Sequence, residues 1–181
     1  MALVSPSNLD TTTDYFSVFE LKPSFALDLT DLERRFYQLA KSLHPDRFVN
    51  HPDPLEKTRS IEKMSLLNHA YQTLKSSSLR RDYLLEYFRV PQSKPFLPAD
   101  LAEEWFDVQD EPASPQFKAF SKKLNEREAN LKVQLENLEK QFDQTGNVEV
   151  LEKISALVQN VAYLRSLGRD VALKSETHSH V

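Results

Sequence analysis

The chain has 181 residues, 40% of them hydrophobic, with a formal net charge of −4 and no cysteine. That length predicts one domain or two small ones, the charge gives no footprint for nucleic acid, and disulfides, thiolate metal sites and cysteine nucleophiles are excluded. Only two glycines occur, Gly146 and Gly168, which argues against a β-rich fold and a glycine phosphate loop, because both depend on residues that tolerate positive φ.

No apolar run approaches the ~18 to 20 residues of a membrane span. Met1 to Asp14 holds two Asp and no Lys or Arg, unlike a secretory signal or a mitochondrial presequence, so a cytoplasmic protein is expected. Charge is unevenly placed. Leu32 to Arg47 has four basic residues against two acidic, whereas Ala99 to Ala113 has six acidic and no basic. Two surfaces of opposite sign suggest two different partners.

In chain order, residues 1–13 read as an extension before a short helix with Tyr15, Phe16, Val18, Phe19 and Leu21. Thr30 through Glu33 reads as a capping box. The helix that follows carries Leu32, Phe36, Leu39 and Leu43 on one face and Arg34 and Lys41 on the other. Pro45 ends it at His44. Asp53, Pro54 and Glu56 then suit the N-cap, N1 and N3 positions of a third helix. Its stripe is Ile61, Met64, Leu67, Tyr71 and Leu74, and Ser76 to Ser78 breaks it. A fourth short helix is expected over about 79–88.

The three prolines of 90–98 predict a linker, with the boundaries of the N-terminal domain at 14–90 and of the linker at 91–98. Beyond it, a helix over about 98–110 presents Leu101, Trp105 and Val108 as one stripe, with Phe106 on its shoulder. Ser114-Pro115 starts a long helix bearing Phe117, Phe120, Leu124, Leu131, Leu135, Leu138 and Phe142. Gly146-Asn147 is a turn. The last helix places Val150, Ile154, Leu157, Val161, Leu164 and Val171 in heptad phase, with Gly168 at a seam position. The fold class is therefore all-α, with a long antiparallel hairpin joined by a third helix over 99–174, and 175–181 as a disordered tail.

A His-Pro-Asp triplet occurs twice, at His44-Pro45-Asp46 and His51-Pro52-Asp53. The second sits before a helix, where Asp53 is explained as a cap. In the first, no capping need accounts for His44 or Asp46, and they stand beside the basic face of Arg34 and Lys41.

Here the chain resembles a known family. The segments DYFSVFEL, LERRFYQLAKSLHPDRF and LLNHAYQTLKSSSLRRDYLLEYF resemble a J domain. More closely, they resemble the iron–sulfur-assembly branch of J proteins, the HscB or Jac type, in which a J domain precedes a three-helix client-binding bundle. The resemblance covers about 14–174. It implies that the helix ending at the triplet docks on an acidic surface of a DnaK-type (HscA-like) chaperone ATPase, and that Asp46 engages an Arg there to trigger ATP hydrolysis. His44 and Pro45 would hold the loop, with Arg34, Arg35, Lys41 and Arg47 as docking cations.

The resemblance also implies a client, the iron–sulfur cluster scaffold protein (IscU-like), bound on the C-terminal bundle through Ala102, Glu103, Phe106 and Tyr163. The chain departs from the family at Ala102 and Glu103, where larger apolar residues are usual, at Ser78 (commonly Pro) and at Arg81 (commonly Ala). Periodicity alone places Tyr163 off the helical seam. No nucleophile or ligand cluster accompanies His44 and Asp46, so no catalysis, cofactor or metal is expected; His178 and His180 could bind metal only weakly. A monomer is expected, with no nucleic acid or membrane among its partners. The alternatives are a J protein with another client, or a coiled-coil adaptor with an inactive J-like domain.

Overall fold

The computed structural model describes residues 14–53, 55–94 and 99–178. The expected 1–13 extension, Pro54, the second half of the expected linker (95–98) and His180 lie outside them. Among the described residues there are helices and no strand. The chain divides into two compact units, Met1–Tyr87 and Phe88–Val181.

In the first unit, α1 (Tyr15–Val18) is capped by Asp14, whose side chain accepts from the Ser17 N–H. The second helix, α2 (Leu29–Leu43), begins differently from expectation. Asp28, not Thr30, is its N-cap, and Asp28 Oδ1 accepts from the backbone N–H of Thr30 at 2.9 Å and Asp31 at 3.1 Å. An ionised carboxylate two residues upstream supplants the neutral hydroxyl, because it satisfies two orphan donors and opposes the helix dipole. Glu33 is turned instead toward the Tyr71 hydroxyl, 3.4 Å away.

The third helix, α3 (Leu55–Lys75), packs against α1, α2 and α4, and buries Leu67, Ala70, Tyr71 and Leu74. Tyr71 stacks on Phe36 with centroids 4.3 Å apart. The expected stripe fails at its first member, for Ile61 is 52% exposed and Ser60 is buried in its place. There the neighbour is the carbonyl end of α2, and a hydroxyl can satisfy what an apolar side chain would leave orphaned. Only Ser76 separates α3 from α4 (Ser77–Tyr87). Tyr83 of α4 stacks on Tyr15, and its hydroxyl accepts from the Tyr15 N–H at 2.9 Å. Buried Arg80 donates to the carbonyls of Phe25 and Leu74, tying the loop before α2 to the junction of α3 and α4.

The second unit starts sooner than the expected linker would allow. Phe88 meets Phe142 edge-on at 5.4 Å. Buried Ser155 donates to the Pro91 carbonyl at 3.1 Å and accepts from the Ser93 N–H at 3.4 Å. Half of the proline-rich joint is thus fastened to the hairpin it precedes. Proline removes a donor but keeps its carbonyl as an acceptor, and that acceptor is used here.

The hairpin comprises α6 (Pro115–Thr145) and α7 (Glu149–His178). Ser114 caps α6, and Gly146 closes it at φ +64° with its N–H on the Phe142 carbonyl, a left-handed position that favours glycine. Buried residues of α7 are Val150, Leu151, Ile154, Val161, Leu164, Leu167 and Val171. Gly168 is not at the seam; Leu167 is. A straight helix drifts ~20° per heptad, so the buried line slips back by a residue over this length. The helix also continues to His178, past the expected end at Lys174. Helix α5 (Ala99–Val108) lays Leu101, Trp105 and Val108 on Phe117, Phe120 and Leu124 of α6 and Leu164, Leu167 and Val171 of α7.

Candidate functional site

The first triplet sits where α2 ends. Pro45 disfavours helical geometry at the preceding residue, and His44 is extended at φ −60°, ψ 128°. Pro45–Phe48 then forms one 3-10 turn. His44 caps that turn: its Nδ1 accepts from the Asp46 N–H at 3.3 Å, and its carbonyl accepts from Arg47 N–H at 3.0 Å. This corrects the reading in which no cap accounted for His44. The Asp46 side chain, by contrast, is 85% exposed and meets no Lys or Arg among the described residues; its nearest titratable neighbour is His44 Nδ1 at 3.5 Å. The loop presents this carboxylate to solvent, with no hydrogen bond to it among the described residues.

The second triplet is used up locally. His51 Nδ1 accepts from the Asp53 N–H at 3.1 Å, Asp53 Oδ1 accepts from Leu55 N–H at 2.9 Å, and Asp53 Oδ2 pairs with Arg59 at 3.0 Å. The Leu55 N–H, with Arg59 behind it, holds the Asp53 carboxyl below its ordinary value. Identical triplets thus present one carboxylate outward and bind the other into a helix start.

The four expected docking cations are not equivalent. Arg35 is half-buried, with Nη1 on the Phe19 carbonyl at 2.9 Å and Nε on Asp31 at 2.7 Å. Arg34 pairs with the other oxygen of Asp31 and reaches Gln38 at 3.3 Å. Bonds from Arg34 and Arg35 hold the Asp31 carboxyl below its ordinary value. Lys41 and Arg47 are exposed and have no carboxylate partner among the described residues. Uncompensated positive charge therefore gathers at the end of α2, next to Asp46. The sequence reading missed Tyr37, which is 62% exposed on the same flank; its spacing of +3 from Arg34 and −4 from Lys41 was the available signal.

On the second unit, Phe106 is 75% exposed and Ala102 and Glu103 share its flank of α5. Tyr163 is placed otherwise. It is half-buried and packs against the Leu101–Phe120–Val171 core, and it makes no ring contact with Phe106. Of the six carboxylates over 99–113, three are engaged within the fold: Asp100 with Arg127 at 3.3 Å, Glu104 with Lys123, and Asp110 with Lys174 at 3.6 Å. Glu103 and Asp107, which flank Phe106, have no cationic partner among the described residues.

Residues 14–83 match the family model for the DnaJ domain. The chain carries a J domain. Two solved structures share the fold of nearly the whole chain. The human co-chaperone protein HscB is 24% identical, with a TM-score of 0.61 over 92% of this chain and 84% of that one. Chaperone HscB from Vibrio cholerae is 24% identical, with a TM-score of 0.58 over 91% of this chain and 99% of that one. The chain thus carries a J domain over 14–83, is all-α among the described residues, and shares the fold of the HscB structures. Its J domain ends in α4, and the Phe106 surface lies on the added bundle. No helix among the described residues is long and apolar enough to cross a membrane.

Proposed function

We propose that this J-domain protein is a cytoplasmic, monomeric co-chaperone that activates a DnaK-type, HscA-like ATPase and brings it an IscU-like iron–sulfur scaffold protein, with no catalysis of its own. One observation carries the first half: of two chemically identical triplets, only His44-Pro45-Asp46 leaves its carboxylate outside the fold's own hydrogen bonding. Asp46 then serves as the charge that meets an arginine of the chaperone, while Lys41 and Arg47 orient the encounter. Exposed complementary charge sets orientation and association rate more than affinity, which suits a partner that must leave after each cycle.

The second half rests on Phe106. An aromatic held out from a short helix and flanked by unpaired Glu103 and Asp107 suits a client with an apolar pocket rimmed by cations. The test has two arms. Single-turnover ATP hydrolysis by the DnaK-type chaperone, with and without this protein, examines activation; co-precipitation with the purified scaffold protein examines the client. Activation without scaffold capture would mean a different client. Capture without activation would mean an adaptor with an inactive J domain.

A further inference from the structure

The cations of α2 leave part of its outer face unexplained. Arg34 and Arg35 are both engaged by Asp31, whereas Lys41 and Arg47, toward the far end of that face, have no carboxylate partner among the described residues. Between them stands Tyr37, 62% exposed, its ring meeting Phe36 edge-on at 5.5 Å. The Tyr37 hydroxyl has no hydrogen-bond partner among the described residues. Residues 34, 37, 38 and 41 fall on one stripe at helical spacing. The buried side of α2 has Leu32, Leu39 and Leu43 for its core, and Phe36 covers Tyr71; Tyr37 is needed for neither. A rigid aromatic with two rotatable angles loses little entropy on being covered and offers both an apolar body and a donor.

We infer that Tyr37 is the aromatic anchor of the chaperone contact, seated in a shallow apolar depression bordered by acceptors, with the partner's carboxylates facing Lys41 and Arg47. The inference rests on the proposed activation of a DnaK-type ATPase and adds what the charges cannot supply. Lys41 and Arg47 steer the encounter, and their effect is screened beyond ~10 Å at 0.1 M salt. Tyr37 contributes a short-range, salt-insensitive term that holds the docked complex in register for Asp46.

The experiment titrates the full chain against the ATP-bound DnaK-type chaperone and reads the concentration giving half-maximal stimulation, at low and at high salt. Tyr37→Ala should raise that concentration about thirtyfold, the loss typical of a truncated aromatic hot spot, and leave the maximal rate unchanged. Its dependence on salt should keep the wild-type slope, whereas Lys41→Ala should flatten it. Tyr37→Phe should retain most of the affinity, because the ring body supplies most of the contact area. Tyr37→Gln, which keeps helix propensity, should behave like Tyr37→Ala with an unchanged melting temperature. Half-maximal concentrations for Tyr37→Ala and Tyr37→Gln within about twofold of wild type, less than hot-spot truncation gives, would overturn the inference; so would losses that track lowered melting temperatures. Asp46→Asn run in parallel separates the two levels. If it abolishes stimulation while Tyr37 variants are silent, the anchor is wrong and the activation reading stands. If Asp46→Asn stimulates normally, the activation reading itself fails.

Discussion

The Ser60 hydroxyl donates a hydrogen bond to the carbonyl of Leu43, the last residue of α2, across seventeen positions of sequence. Ser60 is buried at 3% exposure. One of the orphan carbonyls at the end of α2 is thereby closed by a side chain of α3, immediately before the loop that displays Asp46. Ser60→Ala should destabilise the J domain by about 1–3 kcal/mol, the cost of an unsatisfied buried acceptor. Urea unfolding followed by far-ultraviolet circular dichroism measures this. Hydrogen exchange should also quicken over 44–48 more than over α4.

Exchanging carboxylate for amide should separate the triplets. Asp46→Asn should leave the melting temperature unchanged and remove ATPase stimulation, since it deletes a charge that the fold does not use. Asp53→Asn should keep stimulation and cost little stability, because Asn caps a helix about as well as Asp, although the Arg59 pair is lost. The reverse pattern would show that the wrong triplet had been assigned.

Charge reversal should follow the pairing found in the fold. Lys41→Glu with Arg47→Glu should weaken activation more than Arg34→Glu with Arg35→Glu does, and only the first pair should do so without lowering the melting temperature. Arg35 bonds the Phe19 carbonyl, so its reversal should also loosen α1 from α2. Stimulation titrated between low and high salt checks the first statement, and thermal melts check the second.

Phe106→Ala and Tyr163→Ala should part company. Phe106 is three-quarters exposed, so its truncation should leave stability unchanged while scaffold affinity falls roughly thirtyfold, as for an aromatic hot spot. Tyr163 covers the bundle core, and truncating it should lower the melting temperature. Scaffold affinity and melting temperature measured on the same samples decide the matter: affinity unchanged in a well-folded Phe106→Ala variant would remove Phe106 from the client surface.

Acid should loosen the J domain through Asp31. Its carboxyl lies below the ordinary value of 3.8 when folded, because Arg34 and Arg35 bond it. Between the folded and unfolded values the unfolded chain binds the extra proton, so stability rises with pH there. The Asp31 contribution is therefore present above about 3.8 and lost as pH falls through the folded value. Asp31→Asn should flatten the pH dependence of the J-domain melting temperature below about pH 4, with little change at pH 7 in how that dependence slopes.

Much of this architecture was legible because its signals are local. Ser114-Pro115, Gly146 and the 3–4 spacing of Phe117, Phe120 and Leu124 each act within a turn or two of helix. What was not legible depended on what lay opposite. Ser60 outranks Ile61 as the inward residue only once the Leu43 carbonyl is known to face it. Likewise Arg35 looks like a surface cation until the Phe19 carbonyl arrives from sixteen positions away, and Ser155 turns a proline-rich joint into a tethered strap. The triplets show the same limit. Their residues are identical, and the difference between a displayed and a bound carboxylate comes from whether an α-helix with an arginine near its start follows at once.

The seat of α5 has a spectroscopic consequence. Trp105 is the chain's one tryptophan, and it stands on the core-facing side of α5, 5.6 Å from Phe120 and with Lys174 Nζ 5.5 Å from its ring. Lys174 also bonds the Gln109 carbonyl at 2.9 Å, at the helix's far end. Undocking α5 would take the indole away from the rings and the ammonium together and expose it to water. The intrinsic emission of this protein is thus a native gauge of whether the helix bearing Phe106 is docked, readable without a label while the scaffold protein is titrated in.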